Sequence, residues 1–165
     1  RPRIESLLAN IRKRVPDSTI RTTFIVGFPG ETDDQFSELC DFVQERQFDR
    51  LGVFPYSSEE GTPAGGFTQQ IPEDVKAERV EIIMSIQREI ALNRNDELVG
   101  KMLEVLIDEV TGDETAVGRT VADCPDIDQS VTVKGRGLSV GDIVSVSIQK
   151  SEGYDLVGSV GRTAV

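Results

Sequence analysis

The stretch that decides the fold of the first half is Thr19-Ile-Arg-Thr-Thr-Phe-Ile-Val-Gly-Phe-Pro-Gly-Glu31. Its first eight residues are rich in Thr, Ile, Val and Phe, a composition typical of a strand buried in a parallel sheet. The turn sequence Gly27-Phe-Pro-Gly-Glu31 breaks this strand. Thr32, followed three residues later by Gln35, forms a capping box and predicts the start of a helix. The stretch therefore predicts a strand, a turn and a helix in direct succession.

A second strand is predicted at Leu51–Tyr56, after a helix that ends near Gln47. The strand, helix and strand of Ile20–Tyr56 have the right length for a parallel crossover. Such units build barrels and doubly wound sheets, and two strands complete neither of them. The chain opens with a predicted amphipathic helix at Arg1–Val15 and has no initiator Met. We therefore expect a piece of a longer protein.

A polar, Gly-rich loop follows at residues 57–70, and long loops of this kind are often functional. A long helix is predicted from Pro72 to about Leu98, with Gly100 as its stop. The residues predicted to form its apolar stripe are Val75, Ile82, Ile83, Ile86 and Ile90.

Beyond Gly100 the pattern changes to short strands separated by turn signals such as Thr-Gly-Asp and Val-Gly-Asp. The predicted strands are Met102–Val110, Thr115–Val121, Ser130–Lys134, Ile143–Ile148 and Tyr154–Val160. Five short strands predict a small OB-like barrel. The predicted fold class is therefore α/β plus all-β, with one domain at residues 1–98 and a second at residues 99–165.

Charge narrows the range of partners. The chain carries 29 acids and 18 bases, and residues 96–165 hold 13 acids against six bases, the last of them Arg162. A net charge of −7 in this tail disfavours nucleic acid, because phosphate contacts draw on Lys and Arg. A basic partner is the natural complement, and the alternative is that the acidic surface serves only solubility.

Hydropathy and cysteine usage predict a cytoplasmic protein with no membrane partner. No apolar run approaches the roughly 18 to 20 residues of a membrane span, and no signal peptide is visible. Cys40 and Cys124 are far apart, which fits a reducing compartment better than a disulfide framework. Cys40 is predicted to be a buried small hydrophobe and Cys124 a loop thiol, and neither can assemble a metal site alone.

The predicted chemistry lies where the two parallel strands end. Ligands of α/β sheets bind beyond the carboxyl ends of the strands, so Gly27–Glu31 and Pro55–Ser58 are expected to face one site. Gly27 and Gly30 permit close approach of the backbone to a ligand. The alternative is a purely structural turn with a glutamate at the start of a helix.

Three of these segments, Arg21–Thr32, Asp49–Ser57 and Glu60–Ala64, resemble the second half of the barrel of radical S-adenosylmethionine methylthiotransferases. The tail resembles the TRAM domain of the same family. The resemblance implies the C-terminal portion of a TIM-like partial barrel, followed by a five-stranded TRAM barrel. Pro55 and Cys124 depart from the family pattern, in which Thr and Ala are expected.

The resemblance implies S-adenosylmethionine and two [4Fe-4S] clusters as the cofactors of the full-length enzyme. One cluster would generate a 5′-deoxyadenosyl radical that abstracts hydrogen, and the other would supply or activate sulfur. Each cluster needs a cysteine triplet, and this chain has two cysteines in all. We therefore expect the chain alone to be inactive, with no catalytic residue and no metal ligand. The residues expected near S-adenosylmethionine are Gly27, Phe28, Gly30, Glu31, Phe54, Tyr56 and Ser57.

Within the family, Asp123–Asp128, Val131–Val133 and Tyr154–Gly158 most resemble the members that methylthiolate an aspartate β-carbon in a small-subunit ribosomal protein. The TRAM domain would then recognise a basic ribosomal protein. Its candidate contacts are the acids Asp113, Glu114, Asp123, Asp126 and Asp128. Two alternatives stay open: a tRNA-directed member whose TRAM domain binds RNA, and a noncatalytic binding module. The few Lys and Arg residues of the tail argue against RNA.

Overall fold

The computed structural model of the chain describes residues 1–161, and Arg162 lies outside them. The contacts divide the chain into a first unit, Arg1–Ile90, and a second unit that begins at Ala91. The first unit is an α/β unit and the second is a β-barrel, so the predicted fold class is confirmed.

The α/β unit contains the predicted strand, helix and strand. Its elements are α1 (Pro2–Arg14), β1 (Arg21–Val26), α2 (Asp33–Arg46), β2 (Arg50–Pro55), a 3-10 turn (Ala64–Gly66) and α3 (Glu73–Leu98), whose last turns belong to the second unit. Strands β1 and β2 pair in parallel, from Arg21 opposite Arg50 to Val26 opposite Pro55. The carboxyl ends of both strands therefore lie side by side.

The predicted capping box fixes the start of α2. The Thr32 hydroxyl accepts a hydrogen bond from the Gln35 backbone N–H at 3.2 Å, and the Gln35 side-chain oxygen accepts from the Thr32 N–H at 3.1 Å. Two of the four unpaired N–H groups at the helix start are satisfied in this way. The helix ends as predicted at Gln47, which takes a left-handed conformation with φ of 51°.

One face of the two-stranded sheet is covered and the other is exposed. The core of the α/β unit consists of Val26, Val43, Val53, Ile83 and Ile90. On the opposite face, the paired residues Ile25 and Phe54 are both largely exposed. Strand alternation produces this division, because neighbouring residues of a strand point to opposite faces.

The inward face of α3 differs from the predicted apolar stripe. Ile82 is exposed, whereas Lys76, Arg79 and Gln87 are buried. The polar side chains can be buried because they find partners: the Gln87 amide, for example, donates to the Phe48 carbonyl at 3.1 Å. A count of apolar positions alone therefore gave the wrong inner face for part of this helix.

The barrel has five strands that close in the order β3-β4-β5-β7-β6. They are β3 (Met102–Gly112), β4 (Thr115–Thr120), β5 (Val131–Lys134), β6 (Ile143–Glu152) and β7 (Asp155–Val160). All pairs are antiparallel except β5 with β7. The prediction ended β6 too early, because its pairing with β7 continues past a bulge between Ile148 and Lys150.

The barrel interior is filled by apolar side chains. Its buried core consists of Val105, Ile107, Ala116, Val131, Val133, Val146, Ile148 and Leu156. Two glycines allow the strands to approach closely: a Cβ atom on Gly118 would lie 2.3 Å from the Leu106 carbonyl oxygen, and one on Gly158 would lie 2.5 Å from the Ser147 oxygen. Larger residues at these positions would push the strands apart.

The two cysteines differ in exposure. The prediction for Cys40 was a buried residue, but Cys40 is only partly buried against the core of the α/β unit. Cys124 is an exposed loop thiol, as predicted. Burial raises the pKa of the Cys40 thiol, and the nearby Asp41 carboxylate raises it further. Within residues 1–161, no helix is long and apolar enough to cross a membrane.

Candidate functional site at the strand ends

The two strand ends form one continuous surface, as their parallel pairing requires. The Gly27–Glu31 turn follows β1, and Tyr56 follows β2. The Tyr56 N–H donates to the Val26 carbonyl at 2.8 Å, so the ladder runs one residue beyond the strands. The turn and the start of the 57–70 loop are therefore held next to each other.

The Gly27–Glu31 turn is closed by its own glutamate. Gly27 and Gly30 have φ angles of +73° and +87°, which residues with a side chain rarely adopt. The Gly27 N–H donates to Glu31 Oε1 at 3.0 Å, and the Glu31 N–H donates to the Phe28 carbonyl at 2.9 Å. The Glu31 carboxylate is thus engaged within the turn.

Arg79 of α3 anchors this turn from behind. Its guanidinium donates to Glu31 Oε1 at 2.6 Å and to Asp33 Oδ1 at 2.7 Å, and only 5% of the residue is exposed. The guanidinium also stacks over the Phe36 ring, 5.2 Å from its centroid. A planar guanidinium fits two carboxylates at fixed angles, so the turn and the first residue of α2 are tied to one point.

Lys76, one helical turn before Arg79, anchors the other strand end. Its ammonium donates to the Tyr56 carbonyl at 3.0 Å and to Glu73 Oε1 at 2.7 Å, and 2% of the residue is exposed. Its aliphatic stem packs against Gly27, where a Cβ atom would lie 2.4 Å from Lys76 Cγ. Gly27 therefore makes room for the lysine stem as well as permitting the positive φ.

Sequence reasoning missed Lys76 and Arg79. The available signal was a pair of basic residues spaced i, i+3 and in helical register with Ile83. Such spacing places both side chains on one helix face. The same spacing occurs on solvated faces, so only the partners at the strand ends distinguish the two cases.

Three rings line the outer side of the site, and we call Phe28, Tyr56 and Phe67 the aromatic cluster. The Phe28 ring lies edge-to-face with Tyr56 at 5.2 Å and with Phe67 at 6.3 Å between centroids. Phe28 is 45% exposed and Phe67 48% exposed. A hydrogen bond from the Gly30 N–H to the Gln69 carbonyl, 2.9 Å, holds the loop of Phe67 beside the turn.

The site has groups suited to a ligand with a flat ring and polar atoms. Half-exposed aromatic rings offer stacking surface. Among the described residues, the buried Tyr56 hydroxyl has no hydrogen-bond partner, and buried hydroxyls normally have one. The exposed rings would give stacking surface to the adenosine that the sequence predicts at these strand ends, and its binding stays a prediction.

Two further predicted residues lie at the edge of this arrangement. Phe54 is exposed beside Ile25 on the uncovered sheet face. The Ser57 hydroxyl donates to Glu59 Oε1 at 3.1 Å. The structure records no ring contact between Phe54 and the aromatic cluster within residues 1–161.

The acids predicted to contact a protein substrate fall into two groups. Asp123 is 7% exposed and accepts a hydrogen bond from the Thr120 hydroxyl at 2.6 Å. Asp128 accepts from the Cys124 N–H at 2.7 Å. Both carboxylates therefore shape the loop between β4 and β5, a structural role that short acidic side chains often have in turns.

The remaining three acids are exposed. Glu114 forms an ion pair with Arg136. Asp126 lies in the β4–β5 loop with a φ of 61°, and Asp113 lies at the tip of the β3–β4 hairpin. Asp113 lines a cavity of about 430 Å³ with Val110, Thr111, Gly112, Gly135, Gly137 and Leu138. The acids thus lie in more than one loop of the barrel.

Residues 99–160 match the TRAM domain family. The chain is also similar to proteins named ribosomal protein uS12 methylthiotransferase RimO. It is 48% identical to the protein of Carboxydothermus hydrogenoformans over 94% of this chain and 36% of that protein. The protein of Clostridioides difficile is 50% identical over 91% of this chain and 34% of its own length. That of Prosthecochloris aestuarii is 48% identical over 93% and 36%. The chain spans about a third of the length of these relatives.

Proposed function

We propose that this chain is the C-terminal part of an enzyme that acts on a small-subunit ribosomal protein. The premise is that the chain is a RimO-like methylthiotransferase segment that carries a TRAM domain. The reaction is methylthiolation of the β-carbon of an aspartate. The observation that carries the proposal is 43–50% identity to RimO proteins over nearly the whole chain. The division predicted from the sequence, 1–98 and 99–165, is our proposal for the boundary between the radical S-adenosylmethionine domain and the TRAM domain.

The full-length enzyme uses S-adenosylmethionine and two [4Fe-4S] clusters, which supply radical chemistry and sulfur when bound. The chain contains only Cys40 and Cys124, so the cluster ligands lie elsewhere in that enzyme and this chain alone is inactive. Its own contribution is to bind and orient S-adenosylmethionine at the strand ends.

Within that site the residues have different tasks. Phe28 and Tyr56 offer ring surface to the adenosine, and Gly27 and Gly30 give the turn its shape. Glu31 acts indirectly, because its carboxylate is already bonded to the Gly27 N–H and to Arg79. The other members of the proposed site, Phe54 and Ser57, lie at its edge.

The TRAM barrel recognises the protein substrate. A surface with a net charge of −7 over residues 96–165 attracts a basic ribosomal protein and repels RNA. The exposed acids Asp113, Glu114 and Asp126 are its contacts, and Asp123 and Asp128 keep the β4–β5 loop in shape. The cytoplasm is the compartment in which such an enzyme meets its substrate.

The test uses the full-length protein with both clusters reconstituted anaerobically. It is incubated with S-adenosylmethionine and either the ribosomal protein uS12 or total tRNA. The expected result is a mass increase on one aspartate of uS12 that corresponds to a methylthio group replacing hydrogen. Modification of tRNA and not of uS12 would transfer the assignment to the tRNA-directed members, and modification of neither would refute it.

A further inference from the structure

We propose that Lys76 and Arg79 are positioning residues that set the shape of the S-adenosylmethionine site from behind. The inference rests on the proposed function, since it concerns the same site. Arg79 has no described contact with the aromatic cluster, and Lys76 contacts it only through the Tyr56 ring, 5.5 Å from its ammonium. Each acts through a second group: Lys76 through the Tyr56 carbonyl, and Arg79 through the Glu31 carboxylate.

The spacing of the two residues makes one helix face control both strand ends. Residues i and i+3 of a helix project from the same face. Lys76 reaches the end of β2, and Arg79 reaches the turn after β1. Helix α3 alone therefore fixes the position of the Tyr56 ring relative to the turn that carries Phe28.

Burial makes these contacts costly to lose. Lys76 and Arg79 are almost fully buried, and the Glu31 side chain is 15% exposed. Removing one partner of a buried charged pair leaves the other without compensation. The freed group must then move toward water, and the turn or strand end that carries it must move as well.

Lys76 combines this electrostatic contact with a steric one. Its stem fills the space beside Gly27, and its ammonium lies 5.5 Å from the centroid of the Tyr56 ring. Lys76→Met keeps most of the stem and removes the ammonium. This substitution therefore removes the contacts of the ammonium with the Tyr56 carbonyl, the Tyr56 ring and Glu73, and it keeps the packing against Gly27.

The experiment measures calorimetric binding of S-adenosylmethionine to the reconstituted full-length enzyme, with thermal unfolding of each variant as a measure of folding. The variants are Lys76→Met, Arg79→Gln and Arg79→Lys. The matched controls are Lys13→Met and Arg88→Gln, which alter exposed basic residues of the same unit. Steady-state kinetics at saturating uS12 supply the Michaelis constant and the turnover number separately.

We expect Lys76→Met and Arg79→Gln to bind S-adenosylmethionine about ten-fold more weakly, as for one lost charged hydrogen bond. Arg79→Lys should lie between Arg79→Gln and the unaltered enzyme, because it restores the charge but not the two-carboxylate fork. The Michaelis constant for S-adenosylmethionine should rise while turnover at saturation changes by less than about two-fold. The two controls should bind as the unaltered enzyme does.

Binding by the folded Lys76→Met and Arg79→Gln variants that equals that of the controls would overturn the inference. Equal binding by Arg79→Lys and Arg79→Gln would also contradict it, since a positioning charge must be partly rescued by a charge. If Arg79→Gln does not fold, the affinity of Arg79→Lys for S-adenosylmethionine is compared with that of Arg88→Gln. Equal affinities would then overturn the inference. Failure of the unaltered enzyme to bind S-adenosylmethionine would refute the proposed function, and this inference with it.

Discussion

The two units of the chain bury different kinds of side chain. The central cluster of the barrel consists of eight aliphatic residues from its five strands, and the polar side chains that the second unit buries, Asn95 and Asp123, lie outside this cluster. The inner face of α3 in the α/β unit instead buries Lys76, Arg79 and Gln87 beside aliphatic residues. Buried charge requires specific partners and is therefore evidence of a constrained site, whereas a uniform apolar core is evidence only of stability.

The difference also shows where each unit can carry function. In the α/β unit the buried basic residues end at two loops that carry exposed aromatic rings. In the barrel the central cluster is aliphatic, and the buried Asp123 carboxylate bonds Thr120 within its own loop, so we expect specificity to reside on the surface. Substitutions should therefore separate cleanly into those that unfold the barrel and those that disable the strand-end site.

The largest effect is expected in the barrel core. Ile148→Ala should lower the free energy of unfolding by about 3 kcal/mol, because it removes a fully buried side chain and leaves a cavity. Urea unfolding followed by circular dichroism measures this loss. Ile143→Ala, at an exposed position, is the matched control and should change it little. Equal losses at the two positions would break the comparison.

The second effect tests the glycine of the strand-end turn. Gly27→Val should weaken S-adenosylmethionine binding in the full-length enzyme and leave the TRAM domain folded. The valine side chain would clash with the Lys76 stem, and the valine backbone would have to keep the positive φ of Gly27. Calorimetry measures the affinity, and an unchanged value would make the turn purely structural.

A double-substitution cycle separates the two causes at Gly27. In Gly27→Ala the clash with Lys76 adds to the cost of the positive φ, whereas Lys76→Ala removes the atoms that clash. The combined variant should therefore lose less stability than the two single losses together, by about 1 kcal/mol. Strict additivity in thermal unfolding would show that the contact does not constrain the turn.

A smaller effect is expected for the acidic surface. Replacing Asp123, Asp126 and Asp128 together with Asn should slow association with uS12, the proposed basic partner, and flatten the dependence of the rate on salt. Asp126→Asn alone is the sharper variant, because Asp123 and Asp128 also hold the β4–β5 loop. It should reduce the association rate by about two-fold or less while leaving stability unchanged. Stopped-flow association rates that change neither with these substitutions nor with salt concentration would contradict protein recognition by this surface.

The smallest effect concerns the thiols, which lie in different units. The thiolate is the reactive form, and the raised pKa of Cys40 keeps it protonated to higher pH than an ordinary thiol. Cys124 is exposed. At pH 8 an aromatic disulfide reagent should therefore modify Cys124 well before Cys40, as mass spectrometry of the peptides would show. The reverse order would contradict the partial burial of Cys40.

Sequence patterns predicted the elements better than the contacts among them. Strand β1, the capping box at Thr32 and the five barrel strands follow from local composition, spacing and turn residues, which act over a few residues. The burial of Lys76 depends on the Tyr56 carbonyl, twenty residues away, so no local pattern contains it. Phe67 was likewise hidden in a polar loop whose path depends on the bond between Gly30 and Gln69.

The acids of the barrel show the same limit. Asp123 and Asp126 look equivalent in the sequence, since both lie in a Pro-containing loop between two strands. The structure makes one a buried acceptor for Thr120 and leaves the other exposed. The number of acidic and basic residues predicts the sign of the net surface charge. The role of each carboxylate depends instead on the hydroxyl or N–H that the fold places beside it.

The order of strands in the barrel has a consequence for synthesis on the ribosome. Strand β7 is the last to be made, yet it lies between β5 and β6 and pairs with both. Until Asp155–Val160 has left the exit tunnel, both neighbours present open edges to other nascent chains. A stalled or truncated translation product that ends before β7 should therefore aggregate, because only β7 covers the open edges of β5 and β6.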